Sequence, residues 1–315
     1  MQTFSLKLSD HYQELGQKSE GVLDAYIPEA SPEINPDIMR PSILICPGGA
    51  YMYCSRREAE PIALNFVGKG YNVFVLYYSV FEKCFPYPQL EVLSAIRMIR
   101  ENAAQWHCAP DKIAVMGFSA GGHLAACASN LYNDSRLLDI IQAEPELLRP
   151  NASILCYAVI SGLKSPHELS FERLLGEPDE EGLASLSLEL RVDEGTPPAF
   201  IWHTSDDGGV SVNNSLLYAS ALAEQFSVSR QIIVGDIALL RASGAAVSAT
   251  PRGYVILPAA TGLVRQVACQ HDAAFVVCLH PRQDLFAFFA HIVPGSCHFI
   301  PACAGCGSDL CCRNV

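Results

Sequence analysis

Apolar residues fall along this chain in two alternating patterns. Short unbroken runs occur at Pro41–Cys46 (PSILIC), Asn72–Val80 (NVFVLYYSV), Lys112–Gly117, Ala152–Ile160 and Ala199–Thr204. Continuous apolar runs of this length predict strands buried on both faces. Between them lie segments with helical spacing. In Glu58–Lys69, the residues Ile62, Ala63, Phe66 and Val67 share a face, and Gly70 stops the helix. In Tyr87–Trp106, Val92, Leu93, Ile96, Ile99 and Ala103 fall on one stripe. Ala120–Asn130 and Asn213–Gln225 also read as helices. Strands alternating with helices predict βαβ units: an α/β fold with a mostly parallel sheet and helices on both faces. Gly162–Thr196 breaks this rhythm. It is acidic and carries the loop signals SPHE and GEPDEEG. It is expected to lie over the C-terminal edge of the sheet as a surface, cap-like insertion (162–196).

The pattern ends near Ser227. From Ser229 onward 87 residues contain no lysine and no glutamate, and seven of the 13 cysteines lie there. At ordinary usage Lys plus Glu make up roughly an eighth of residues. The chain therefore divides into residues 1–228, which carry the α/β pattern, and an atypical Cys-rich tail, 229–315. The composition of that tail suggests out-of-frame translation beginning near Ser227, or poor order.

Charge and composition narrow the function classes. Half of the 315 residues are hydrophobic, enough for a sizeable core, and the net charge is −12. That charge argues against a nucleic-acid backbone or an anionic membrane as partner. The N-terminus has no basic n-region and no long apolar h-region. No stretch approaches the roughly 18–20 apolar residues of a membrane span. A cytoplasmic chain with reduced thiols is expected. Cys46, Cys127 and Cys156 sit in apolar runs and read as small buried hydrophobes. In the tail, Cys303-x-x-Cys306 is half a zinc site, but Cys311 and Cys312 are adjacent rather than spaced for tetrahedral ligation, and Cys297 stands alone. No metal and no cofactor is expected.

Candidate chemistry centres on Gly117-Phe118-Ser119-Ala120-Gly121, a G-x-S-x-G run between a predicted strand and a predicted helix. In that context a serine sits on a sharp turn, and small neighbours let strand and helix approach. The helix N-terminus behind it offers unpaired N–H groups to an oxyanion, the Ala120 amide first. A second donor is expected from Pro47-Gly48-Gly49-Ala50-Tyr51, directly after the PSILIC strand, through the Gly48 and Gly49 amides.

PGGAY, SRREAEPIA, YPQLEVLSAIRMIREN and DKIAVMGFSAGGHLAA together resemble the α/β-hydrolase fold. The similarity is to serine esterases and lipases of the acetyl-xylan-esterase-like branch, over residues of about 20–228. The resemblance implies a Ser–Asp–His triad in that chain order, with the acid in a loop after a late strand. After Ala199–Thr204 come Asp206 and Asp207; counting back from Val210-Ser211, Asp207 matches the acid. The resemblance places the base some thirty residues later, yet no histidine occurs between His203 and His271. His271, His280, His291 and His298 remain. His298 follows a strand-like run and a Pro294-Gly295 turn, which makes it the candidate base. His123, on the nucleophile helix, and His203, on the strand before the acid, are expected to pack rather than to react. The resemblance implies hydrolysis of carboxylic esters of small acyl groups through an acyl-enzyme, acetyl groups on carbohydrate among them. The alternative is a hydrolase-like protein impaired by lack of a base. A small-molecule ester is the expected partner, with no nucleic acid and no membrane; the oligomeric state is not legible.

Overall fold

The computed structural model describes residues 1–33, 35–204 and 206–225 in full, and the backbone of strands at 247–250, 253–256 and 274–279. Strands β1 (Gln2–Lys7), β2 (Val22–Ile27), β3 (Arg40–Cys46), β4 (Asn72–Tyr77), β5 (Cys108–Phe118), β6 (Ala152–Cys156), β7 (Ala199–Thr204) and β10 (Ala274–Leu279) form one sheet. Its order is β1-β2-β4-β3-β5-β6-β7-β10. From β4 to β7 all pairings are parallel, with Leu44 opposite Phe74 and Val115, and Met116 opposite Ile154. β1 and β2 add an antiparallel edge on one side. β10 adds one on the other, with Ala274 opposite Thr204. The expected mostly parallel α/β sheet is thus present. A strand from the predicted tail joins it, and two more, β8 (Val247–Thr250) and β9 (Gly253–Ile256), form an antiparallel pair.

Strand periodicity explains the two-sided core. Side chains alternate across a strand. Ile43 and Ile45 face one layer with Val73, Val75, Ala114, Met116 and Ile154; Leu44 and Cys46 face the other with Phe74, Leu76, Val115 and Leu155. The first layer is covered by Ala63 and Phe66 of helix α2 (Glu60–Val67). The second is covered by α3 (Tyr87–Glu101), α4 (Ala120–Asn130) and α9 (Asn213–Gln225). The described residues also form shorter helices: α1 (Leu8–His11), α5 (Ser135–Ile141), α6 (Pro145–Leu148), α7 (Glu168–Leu175) and α8 (Glu180–Ser185).

Several boundaries differ from expectation, among them β4, which stops at Tyr77 rather than Val80, and β5, which begins at Cys108 rather than Lys112. The helix expected over Glu58–Lys69 begins as a 3-10 turn at Arg56–Glu58 and becomes α-helical only at Glu60. The helix expected to reach Trp106 stops at Glu101, where the Asn102 side chain donates to the Met98 carbonyl at 2.8 Å. The strand expected over Ala152–Ile160 ends at Cys156 because Tyr157 takes φ 38°. From there the chain crosses toward β5: Tyr157 N donates to Trp202 O at 2.7 Å, and Val159 N to Ser119 O at 3.1 Å.

Residues 162–196 are anchored, not loose. Phe171, Leu174, Leu186 and Leu188 are buried in the core. Lys83 N and Phe85 N donate to the carbonyls of Arg173 and Leu174. The cysteines at 46, 54, 84, 108, 127 and 156 are free thiols, all buried except the half-buried Cys54. Among the described residues no helix is long and apolar enough to cross a membrane.

Candidate active site

Ser119 stands between the end of β5 and the start of α4 with φ 51° and ψ −119°. A non-glycine residue there carries strain on the order of 1–3 kcal/mol and persists only where its surroundings over-determine it. Three backbone bonds do so. Ser119 N donates to Cys156 O, and Ser119 O accepts from His123 N and Val159 N, each at 3.1 Å. Ile113–Phe118 and Ala120–Asn130 are buried throughout; Ser119 alone in that run is half-buried. The turn therefore lifts one side chain out of an otherwise closed core. Close approach behind it requires Gly121: a Cβ at that position would fall inside the van der Waals shells of the Cys46 and Pro47 carbonyl oxygens.

The Pro47–Tyr51 loop lies against this serine. A Cβ on Gly48 would be 2.8 Å from Phe118 O and 3.2 Å from Ser119 Cβ. Gly49, Ala50 and Tyr51 take φ values of 135°, 55° and 56° in succession. Such runs turn amides to one side and make anion-binding concavities. Tyr78 Oη donates to Pro47 O at 2.6 Å, and Ser55 N to Gly48 O at 2.8 Å. Of the three expected oxyanion donors, Gly48 is engaged elsewhere, since its N–H donates to Glu58 Oε2 at 2.7 Å. The Gly49 and Ala120 amides have no internal acceptor among the described residues. They are the donors left for a ligand.

Asp207 sits just beyond β7, half-buried. Its Oδ1 accepts from Gly209 N and Val210 N at 2.8 and 2.9 Å, which fixes the carboxylate. Oδ2 lies 3.7 Å from His203 Nε2. His203 itself is fully buried. Its Nε2 donates to Val210 O at 2.9 Å, so Nδ1 accepts from Ser215 Oγ at 2.7 Å. Burial holds its pKa below the usual value, against the Val210 carbonyl and Asp207. It anchors the acid loop. His123 has the same character: Nε2 donates to Leu186 O at 3.0 Å, and Nδ1 accepts from Tyr51 Oη at 2.8 Å. Burial pushes its pKa down to about 4. Both rings have spent their nitrogens on structure, as expected. His271, His280, His291 and His298 lie outside the described residues, as do Cys297, Cys303, Cys306, Cys311 and Cys312.

Sequence reasoning passed over two residues here. Glu58 reaches the Gly48 amide with Oε2 and accepts from Tyr157 Oη with Oε1 at 2.9 Å. Tyr157 packs between Phe118 (ring centroids 5.9 Å) and Trp202 (5.5 Å), an aromatic wall beside the serine. Burial, reinforced by Glu58, pushes its hydroxyl pKa far up, so it remains a donor. The one signal for Glu58 was its place in SRREAE, directly after the glycine loop. Tyr157 carried none, because in sequence it continues a strand.

The geometry has relatives. Over 200 residues the chain is 36% identical to endo-1,4-beta-xylanase B of Butyrivibrio fibrisolvens, covering 61% of this chain and 31% of that one. Over 188 residues it is 32% identical to the acetylxylan esterase of Xylanibacter ruminicola, covering 58% and 37%. The chain thus spans about a third of the length of these two curated relatives. The crystal structure of an acetyl ester-xyloside bifunctional hydrolase from Caldicellulosiruptor lactoaceticus superposes with a TM-score of 0.61 at 34% identity. It covers 70% of this chain and 82% of that one, and the shared architecture is the α/β-hydrolase fold. A second match begins at the first residue of α9. An HTH domain model covers residues 213–255. A 50-residue stretch, 16% of this chain, is 56% identical to 29% of the probable transcription repressor NiaR of Thermotoga maritima. The family match thus runs across the boundary set by composition and covers residues 229–255 of the segment beyond it. For the body of the protein, the BD-FAE family model matches residues 23–222, and the chain belongs to that family.

Proposed function

We propose that this chain hydrolyses carboxylic esters of small acyl groups, acetyl groups on carbohydrate among them, with Ser119 as nucleophile. The observation that carries this is a strained, half-buried serine pressed against a loop whose Gly49 amide lacks an internal acceptor among the described residues. Ser119 Oγ attacks the acyl carbon while a histidine takes its proton. The Gly49 and Ala120 amides hold the oxyanion, and Asp207 orients the histidine and stabilises the imidazolium. The alcohol leaves, and water releases the acyl-enzyme by the reverse sequence. His298 is the sequence's candidate for the base. The names of the relatives, an acetylxylan esterase and an acetyl ester-xyloside hydrolase, support the acyl group and the carbohydrate side. Turnover of p-nitrophenyl acetate and of acetylated xylo-oligosaccharides tests the reading. Ser119→Ala should lower kcat by about 10⁴-fold or more. Undiminished turnover in Ser119→Ala refutes the assignment; ligand binding without turnover in the unmutated chain favours the impaired form.

The match over residues 213–255 favours a second, separable reading: the C-terminal segment derives from a nucleic-acid-binding module. Charge agrees with it. Residues 226–315 hold six arginines, four aspartates and no lysine or glutamate, so the excess of acid lies entirely in the body. Binding of a labelled 30-bp duplex, followed by anisotropy against salt, tests this. Affinity that falls steeply with salt supports it; no binding at micromolar protein in low salt refutes it.

A further inference from the structure

Glu58 presents a puzzle. A carboxylate close to a developing oxyanion raises its energy, yet this one lies at the cradle. Oε2 is 2.7 Å from the point a Gly48 Cβ would occupy, and Ser119 Cβ is 3.2 Å from the same point. Glu58 is half-buried with Tyr157 against it, so solvent screens the repulsion only in part. The charge is therefore not there for the chemistry it faces. Its hydrogen bonds show what it does.

We propose that Glu58 is the positioning residue of the oxyanion cradle, an inference that rests on the hydrolase reading above. One oxygen draws the Gly48 N–H away from the reacting centre, and the other ties Tyr157, so that the Gly49 amide faces Ser119. The physical need is local. Gly48 and Gly49 are adjacent, and glycine backbone samples more conformations than any other residue. The required loop shape has three positive φ values in a row, two of them at non-glycine residues. Without a clamp the Gly49 amide would visit the cradle only part of the time. An N–H bond to an ionised carboxylate is of the stronger class. Glu58 reaches the loop from the 3-10 turn Arg56–Glu58, just ahead of α2, which packs on the sheet. The far limb, Tyr157, stands at the bend after β6 whose next residues donate to Ser119 O. Glu58 thereby spans both sides of the nucleophile, joining the loop after β3 to the bend after β6.

Substitution separates shape from charge. In Glu58→Gln the amide oxygen still accepts from Gly48, and the NH₂ donates to the Tyr157 oxygen, whose hydroxyl hydrogen turns away. In Glu58→Ala both limbs are lost. With p-nitrophenyl acetate and the full chain, Glu58→Ala should lower kcat by about 10²-fold, the effect of losing one oxyanion donor, with KM within about threefold. Glu58→Gln should restore kcat to within about fivefold, with the repulsion relieved. Hydrogen exchange of a peptide spanning residues 47–53 reads the clamp without needing turnover. Exchange should quicken by about tenfold or more in Glu58→Ala and stay near the unmutated rate in Glu58→Gln. Unchanged exchange in Glu58→Ala overturns the proposal, as does Glu58→Gln being as slow in catalysis as Glu58→Ala. The latter result would assign the carboxylate a proton-transfer role instead. If the unmutated chain shows no turnover, the hydrolase reading fails, and the exchange arm still decides whether Glu58 holds the loop.

Discussion

Gly121→Ala is the sharpest test of the nucleophile turn. The added methyl would enter the space between the start of α4 and the segment joining β3 to the cradle loop. It meets the Cys46 and Pro47 carbonyl oxygens, both backbone. Ordinary contact begins near 3.4 Å, so the two backbones must part by more than about 1 Å. Overpacking typically costs about 1–3 kcal/mol, and two backbone oxygens yield less than side chains, so about 3 kcal/mol is expected. For a domain of this size that lowers Tm by roughly 6–12 °C. Catalysis should suffer more than stability, because the parting moves Ser119 relative to the Gly49 amide. A misplacement of about 1 Å costs roughly 10²-fold in rate. Urea unfolding and p-nitrophenyl acetate kinetics on the folded fraction measure the two effects. Gly68→Ala is the control: its φ is −60° and its nearest contacts are at 3.5 Å, so it should be neutral or slightly stabilising. If Gly121→Ala matches the unmutated protein in both stability and rate, the reasoning about the turn is wrong.

Two further expectations follow from the same geometry. Asp207→Asn keeps an oxygen for the Gly209 and Val210 amides but loses the charge, so kcat should fall by about 10³–10⁴-fold with Tm nearly unchanged; unchanged kcat sinks the acid assignment. His123 is held neutral, with its pKa pushed down to about 4 from the usual 6.5 or so. The fold therefore has its full contribution above about pH 6.5 and loses it as pH falls toward 4, on the order of 3 kcal/mol in all. Urea titrations at pH 7 and pH 5 should show about 2 kcal/mol of that loss in the unmutated protein and a smaller one in His123→Phe; equal losses refute it.

Much of this architecture is legible in the chain because it rests on local pattern. β3 to β7 are apolar runs whose strand character survives any neighbour, and G-x-S-x-G between a strand and a helix admits few other shapes. What stays hidden depends on long-range packing. The edge strand β1 and its neighbour β2 carry mixed patterns, with no apolar run to mark them in the sequence. The bend at Tyr157 interrupts an apolar run that reads as unbroken, because the bonds fixing it come from Trp202 and Ser119. The place of Gly48 in the loop suggests an oxyanion donor, whereas its partner Glu58 lies ten residues on. Glu58 is charged, and charged residues ordinarily read as surface; its role depends on a tyrosine 99 residues away.

The imidazole of His123 has one consequence for how such a site diversifies. It binds the cradle loop through Tyr51, the nucleophile helix through its own backbone, and the 162–196 excursion through the Leu186 carbonyl. Any redesign of that excursion to admit a bulkier sugar or acid inherits a fixed mooring. Only the stretch around α8, which has no buried residue, is open to remodelling, while α7, held by Phe171 and Leu174, and the return past Leu186 must dock in the same place, or the Pro47–Tyr51 loop drifts with them.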